Sequence, residues 1–235
     1  MKYKVIIFIV LFILILYFIY ISYNNIYEGL DTNIKGNTTI PQHADEKDPF
    51  IKPVTMSNIL NDEECNNVID YAVEFIAEQN VIEGRYVYTR NKQHVFAKKN
   101  DPYIKPILEK IATKFNQPFE NMENPLIVRY LPYQTYIEHN DSCCDQNDKC
   151  RDFIKRGGQR VLTVLIYLSD NFTGGGTYFK KLNLNLKPKK GGAVVFHSLA
   201  QNSDKCHLNA VHQEQPLEDG IKWAMHVWFR ENTFK

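Results

Sequence analysis

The sequence predicts an α+β domain: a double-stranded β-helix of the jelly-roll or cupin-like kind, with supporting N-terminal helices, preceded by one transmembrane helix. Three observations carry this. Two segments of helical period come first, between residues 62 and 115. About eight short strand-like segments follow, from Leu126 to Arg230, punctuated by Gly, Pro, Asn and Asp. Ahead of both, Val5 to Ile21 is almost continuously apolar. The chain has 235 residues and a formal net charge of +1. That length suits one substantial domain with an appendage, and the balanced charge gives no reason to expect a nucleic-acid partner.

The apolar run comes first in chain order. At about 1.5 Å per residue it is just long enough to cross a bilayer core. Lys2 and Lys4 precede it, while Glu28 and Asp31 follow with no basic cluster. The positive-inside rule then predicts a single-pass type II protein with the folded domain lumenal or extracytoplasmic. A cleaved signal peptide is the alternative. The run is long for one, and Ser22-Tyr23-Asn24-Asn25 offers no A-x-A-like site, so a signal anchor over residues 1–23 is favoured. Residues 24–48 are polar and aperiodic, as in a stalk. The folded domain is expected over 49–235.

Cysteine usage fits a lumenal compartment. Cys143, Cys144 and Cys150 share one loop, Cys206 lies in another, and Cys65 sits on a predicted helix face. One or two disulfides among the four loop cysteines are expected, and Cys65 is expected in the core. A zinc site is disfavoured because no C-x-x-C pair is present. Asn37-Thr38-Thr39 and Asn171-Phe172-Thr173 are glycosylation acceptors if the chain enters a secretory lumen.

Within the domain, Asn61 followed by Glu64 forms a capping-box start. Cys65, Val68, Ile69, Ala72, Phe75 and Ile76 then recur at helical spacing, predicting a helix from Asp62 to about Gln79. Val81 to Ala97 reads as a strand or hairpin. Asp101-Pro102 opens a second helix, whose apolar stripe is Ile104, Ile107, Leu108, Ile111 and Phe115. The strand candidates are Leu126–Tyr130, Thr135–Asn140, Arg160–Leu168, Gly176–Lys180, Leu182–Leu186, Gly192–Phe196, Asn209–Gln213 and Trp223–Arg230.

One pair of residues carries chemistry. His139 and Asp141 lie two apart on a predicted strand, so both side chains leave the same face. An imidazole and a carboxylate aimed at one point suit iron, and a second histidine would complete the facial triad of non-heme Fe(II) oxygenases. His-x-Asp alone is short and weakly specific. The candidates for the third ligand are His197, His207, His212 and His226. His212 differs by its sequel: Pro216-Leu217, then Gly220-Ile221-Lys222-Trp223.

From these residues the chain resembles the prolyl 4-hydroxylase branch of the Fe(II)/2-oxoglutarate dioxygenases. In that family a distal histidine precedes a P-V or P-L turn and a G-x-K-W segment. Asn58 to Cys65 is similar to the family's opening "FL-x-x-EEC". Gln159 to Leu168 is similar to "QR-x-x-T-x-L-x-YL", Gly174 to Phe179 to "GG-E-T-x-F", and Pro188 to Phe196 to "P-x-K-G-x-A-x-x-F". The resemblance implies iron ligands His139, Asp141 and His212, and a 2-oxoglutarate anchor at Lys222. It implies that Tyr130 and Tyr167 line the cosubstrate pocket and that Tyr136 and Arg160 serve the peptide substrate. It also implies Fe(II), 2-oxoglutarate, O2 and ascorbate as cofactors. The expected reaction is hydroxylation of a proline in a Pro-rich or collagen-like peptide, with release of succinate and CO2.

Two departures stand out: Gly176 replaces the family glutamate, and the cysteine-bearing loop Ser142 to Gly158 is unlike the common one. Three other readings stay open at this point: a lysine hydroxylase on the same scaffold, a non-catalytic membrane-anchored binding module, and a zinc hydrolase in a cupin-like barrel. His94, His197, His207 and His226 are read as ordinary satisfied histidines.

Overall fold

The computed structural model describes residues 43–82 and 93–235. The predicted anchor, most of the stalk, the acceptor at Asn37 and the centre of the predicted hairpin lie outside the described residues. Among the described residues no helix is long and apolar enough to cross a membrane.

Among the described residues the domain has three α-helices where two were expected. Helix α1 spans Asp62–Ile82. Its capping box forms as read: the Glu64 amide donates to Asn61 Oδ1 at 2.8 Å, and the Asn61 amide donates to Glu64 Oε2 at 2.7 Å. The helix runs past Gln79 because no Gly or Pro interrupts the chain before Gly84, so the strand expected from Val81 does not begin there. Helix α2, Lys105–Lys114, starts later than Asp101-Pro102 predicted; Pro106, not Pro102, takes the first-turn position. Helix α3, Asp148–Lys155, lies in the stretch expected to be loop. Asn147 caps it by accepting from the Cys150 amide at 2.9 Å.

The strands are β1 (Val54–Met56), β2 (Gln93–Phe96), β3 (Leu126–Tyr130), β4 (Tyr136–His139), β5 (Arg160–Tyr167) and β6 (Phe172–Gly174). They continue as β7 (Thr177–Phe179), β8 (Leu184–Leu186), β9 (Ala193–Phe196), β10 (His212–Glu214), β11 (Leu217–Gly220) and β12 (Lys222–Arg230). The strand expected over Asn209–Gln213 is a 3-10 turn at Leu208–Ala210 followed by β10. One sheet has the order β1-β9-β5-β12-β3-β2, a second β4-β10-β7-β8, and β11 pairs with β6. Two sheets with this crossing order form the predicted jelly roll.

Strand parity divides the large sheet into two faces. Leu162, Val164 and Ile166 of β5, with Trp223, Met225, Val227 and Phe229 of β12, pack with α1 and α2 side chains such as Val68, Ala72, Leu108 and Ile111. Leu165, Tyr167 and Ala224 face the other way, where Phe172, Phe179 and Phe196 fill the space between the sheets. Every residue of β12 is buried, as expected of a central strand covered on both sides. Cys65 is buried in the helix layer, as predicted.

The four loop cysteines are paired as Cys143–Cys150 and Cys144–Cys206. The second bridge ties residues 62 apart in sequence. Replacing Cys206 by Ser should therefore cost about 2–5 kcal/mol, read as a lower urea midpoint. An unchanged midpoint would remove this bridge from the account of stability. At Gly176, the departure from the family glutamate, a Cβ would meet only the tip of the exposed Asn185 side chain on β8, so the structure does not explain the glycine.

Candidate active site

Strand pairing assembles the metal-ligating set. β4 and β10 run antiparallel with His139 opposite His212, which brings their rings to 4.4 Å between centroids. Asp141 follows β4 by two residues, and its Oδ1 lies 3.4 Å from His139 Nε2. One donor atom from each of His139, Asp141 and His212 lies within 4.8 Å of the others, and this is the one such cluster among the described residues. His197, His207 and His226 do not join it. His197 Nδ1 lies 2.9 Å from the Val161 carbonyl and His207 Nε2 3.2 Å from the Asp48 carbonyl.

The surroundings orient each ligand. His139 Nδ1 meets the Ile137 carbonyl at 2.9 Å and His212 Nδ1 meets the Ala210 carbonyl at 3.0 Å. Donation from these nitrogens leaves both Nε2 atoms as lone-pair donors. Asp141 Oδ2 accepts from Thr163 Oγ1 at 2.6 Å and from Trp228 Nε1 at 3.1 Å, leaving Oδ1 on the histidine side. Burial would raise the Asp141 carboxyl, but the His139 hydrogen bond and both imidazoles hold it well below the usual carboxylate range. Burial also holds His212 below the ordinary imidazole value. An anionic oxygen and two imidazole nitrogens, each fixed from behind, fit a divalent iron.

Replacing Trp228 by Phe removes one of the two bonds on Asp141 Oδ2 and should weaken Fe(II) binding about 10–100-fold, measured by metal titration. Binding within twofold of the parent would exclude Trp228 as the support of Asp141.

Other predicted site residues fall nearby. Tyr136 packs edge-on against the His139 ring at 4.6 Å. Arg160 lines the same cleft, yet its guanidinium is committed to Glu123 by bonds of 2.6 and 2.8 Å and stacks 3.7 Å over Trp228. It thus braces the indole that holds Asp141. The cleft is about 650 Å³ and is lined by Phe96, Val128, Tyr130, Tyr136, His139 and Trp228, among others.

Lys222 lies at the start of β12, opposite Tyr130 on β3, and only 1 % of its surface is exposed. Its Nζ donates to the Gly175 carbonyl at 2.7 Å and to Tyr167 Oη at 3.0 Å, and stands 4.1 Å from the Tyr167 ring centroid. It also forms an ion pair with Glu214, a residue the sequence reading did not single out. Glu214 Oε1 accepts from Thr177 Oγ1 at 2.8 Å. Burial would lower the Lys222 ammonium, but the Glu214 charge raises it above its ordinary value. The signal was present: Glu214 lies two residues after His212 on one strand, so both side chains enter the barrel.

A two-sheet barrel holding a His-x-Asp…His set and a buried lysine fits an iron-dependent oxygenase site. Residues 125–230 match the 2OG-Fe(II) oxygenase superfamily. A protein of Acanthamoeba polyphaga mimivirus, described as "Putative prolyl 4-hydroxylase", is 45% identical over 204 residues, covering 87% of this chain and 83% of the relative. Prolyl 4-hydroxylase 2 of Arabidopsis thaliana is 30% identical over 202 residues, covering 74% of this chain and 66% of the relative. The crystal structure of a viral collagen prolyl hydroxylase from Paramecium Bursaria Chlorella virus-1, in complex with 2OG, shares the fold. Its TM-score is 0.60 at 24% identity, over 77% of this chain and 96% of that one. This chain belongs to the prolyl 4-hydroxylase family of the 2OG-Fe(II) oxygenases.

Proposed function

We propose that the chain hydroxylates proline in an extended peptide, using Fe(II), 2-oxoglutarate and O2, with ascorbate as a supporting reductant. The observation that carries this is the convergence of His139, Asp141 and His212 in a cleft, each backed by its own hydrogen bond. The three would hold the metal. Iron and cosubstrate, when bound, supply the oxidation of a C–H bond, and the cosubstrate leaves as succinate and CO2. The rest of the work falls to this chain. Thr163 and Trp228 keep Asp141 turned toward the metal side. Lys222 supplies the cation for the cosubstrate's far carboxylate, and Tyr130 and Tyr167 wall that end. Tyr136 and Phe96 flank the cleft, where a polyproline II segment can lie without first being ordered.

The paired cysteines support an oxidising compartment, in keeping with an anchor over residues 1–23, a stalk over 24–48 and a lumenal domain over 49–235. The test is succinate release with Fe(II) and 2-oxoglutarate against Pro-rich and Lys-containing peptides, with the product residue mapped by mass. Hydroxyproline is the expected product. Hydroxylysine would move the activity to the lysine branch. Absence of peptide-dependent succinate would leave a binding module.

A further inference from the structure

The Lys222 ammonium has three N–H donors, and three acceptors already take them: the Gly175 carbonyl, Tyr167 Oη and the Glu214 carboxylate. Tyr167 Oη lies 2.9 Å from Thr177 Oγ1, and Thr177 Oγ1 donates to Glu214, so the four side chains close a ring of hydrogen bonds. All four are essentially inaccessible to solvent. The cleft over the metal-ligating set is lined as far as Tyr130 and Thr135, while Lys222, Tyr167 and Thr177 are not among its lining residues. Glu214 is thus a carboxylate of the chain itself, held directly by Lys222 and Thr177, with Tyr167 bridging those two.

We propose that Glu214 is a selectivity residue that occupies the seat of the cosubstrate's far carboxylate on Lys222. This rests on the reading of Lys222 as the cosubstrate anchor and specifies how that anchor is guarded. A 2-oxo acid with a carboxylate tail must displace Glu214. Otherwise two carboxylates share one ammonium in a dry site, where an uncompensated charge is costly. A 2-oxo acid with an uncharged tail meets no such competition. Glu214 therefore removes most of the advantage that Lys222 would otherwise give the diacid.

The experiment is calorimetric binding of 2-oxoglutarate and of 2-oxovalerate, which has the same chain length without the far carboxylate, to the Fe(II)-loaded protein without oxygen. The parent chain is expected to prefer the diacid by less than about tenfold (one such factor being about 1.4 kcal/mol). Glu214→Gln, which keeps the size and an acceptor for Thr177, should tighten 2-oxoglutarate by about tenfold or more and leave 2-oxovalerate unchanged. Fe(II) titration and a thermal melt confirm that the variant is folded and metal-competent. A tenfold or greater preference in the parent chain overturns the proposal without reference to any variant. So does a smaller gain, or a loss, in Glu214→Gln. If Fe(II) binds but neither acid does, the assignment of Lys222 falls as well.

Discussion

Replacing Asp141 by Ala should abolish succinate release and cost far more Fe(II) affinity than any change behind the ligands. Asp141 is the single anionic member of the metal-ligating set, and it is buried with two donors on Oδ2. Loss of an outer partner such as Trp228 costs about 10–100-fold. Loss of the charge itself leaves two neutral imidazoles facing a divalent ion, so the decrease should exceed that range. Metal titration of the two variants beside the parent ranks them directly. Fe(II) binding by Asp141→Ala as tight as by Trp228→Phe would contradict the assignment of Asp141 as a ligand.

Replacing Lys222 by Met should have two separable effects. It strands Glu214 as a buried anion, which typically costs about 3–5 kcal/mol. It also removes the cation that the far carboxylate of 2-oxoglutarate requires. Adding Glu214→Gln in the same chain should recover most of the stability, since a neutral buried pair of similar volume is tolerated where a lone charge is not. It should not recover 2-oxoglutarate binding. Urea melts and ligand titration on the single and double variants separate the two. Equal melting of both would mean that the stranded Glu214 charge costs nothing, and undiminished 2-oxoglutarate binding in either would remove Lys222 from the cosubstrate site.

Most of the barrel and the metal-ligating set were legible because both obey period two. His139 and Asp141 could be placed on one face, and His212 needed only a partner strand to meet them. Glu214 obeys the same rule, but period two gives only the face of a strand residue, not the buried cation it pairs with from another strand. The ion pair of Arg160 with Glu123 joins residues far apart in sequence, so no local pattern announces it. Helix α3 went unread because its eight residues are mostly polar and sit among cysteines, which suggested a stapled loop. Strands β1, β6 and β11 have only three or four residues each, too few for alternation to register. The start of α2 moved because two prolines compete for its first turn, and spacing alone does not choose between them.

The alternation along β12 gives the chain something like a reading frame. Lys222, Ala224, His226 and Trp228 share one parity, while Trp223, Met225, Val227 and Phe229 share the other and pack in the helix layer. Deleting one residue between Lys222 and Trp228 would exchange the two sets beyond the lesion. The indole that supports Asp141 would turn into the hydrophobic layer, and an apolar side chain would face the metal instead. Substitutions along this strand can be graded in effect, but length changes cannot. Tolerated insertions and deletions in functional variants should therefore be absent from residues 222–230 and collect in the exposed connections outside the sheets.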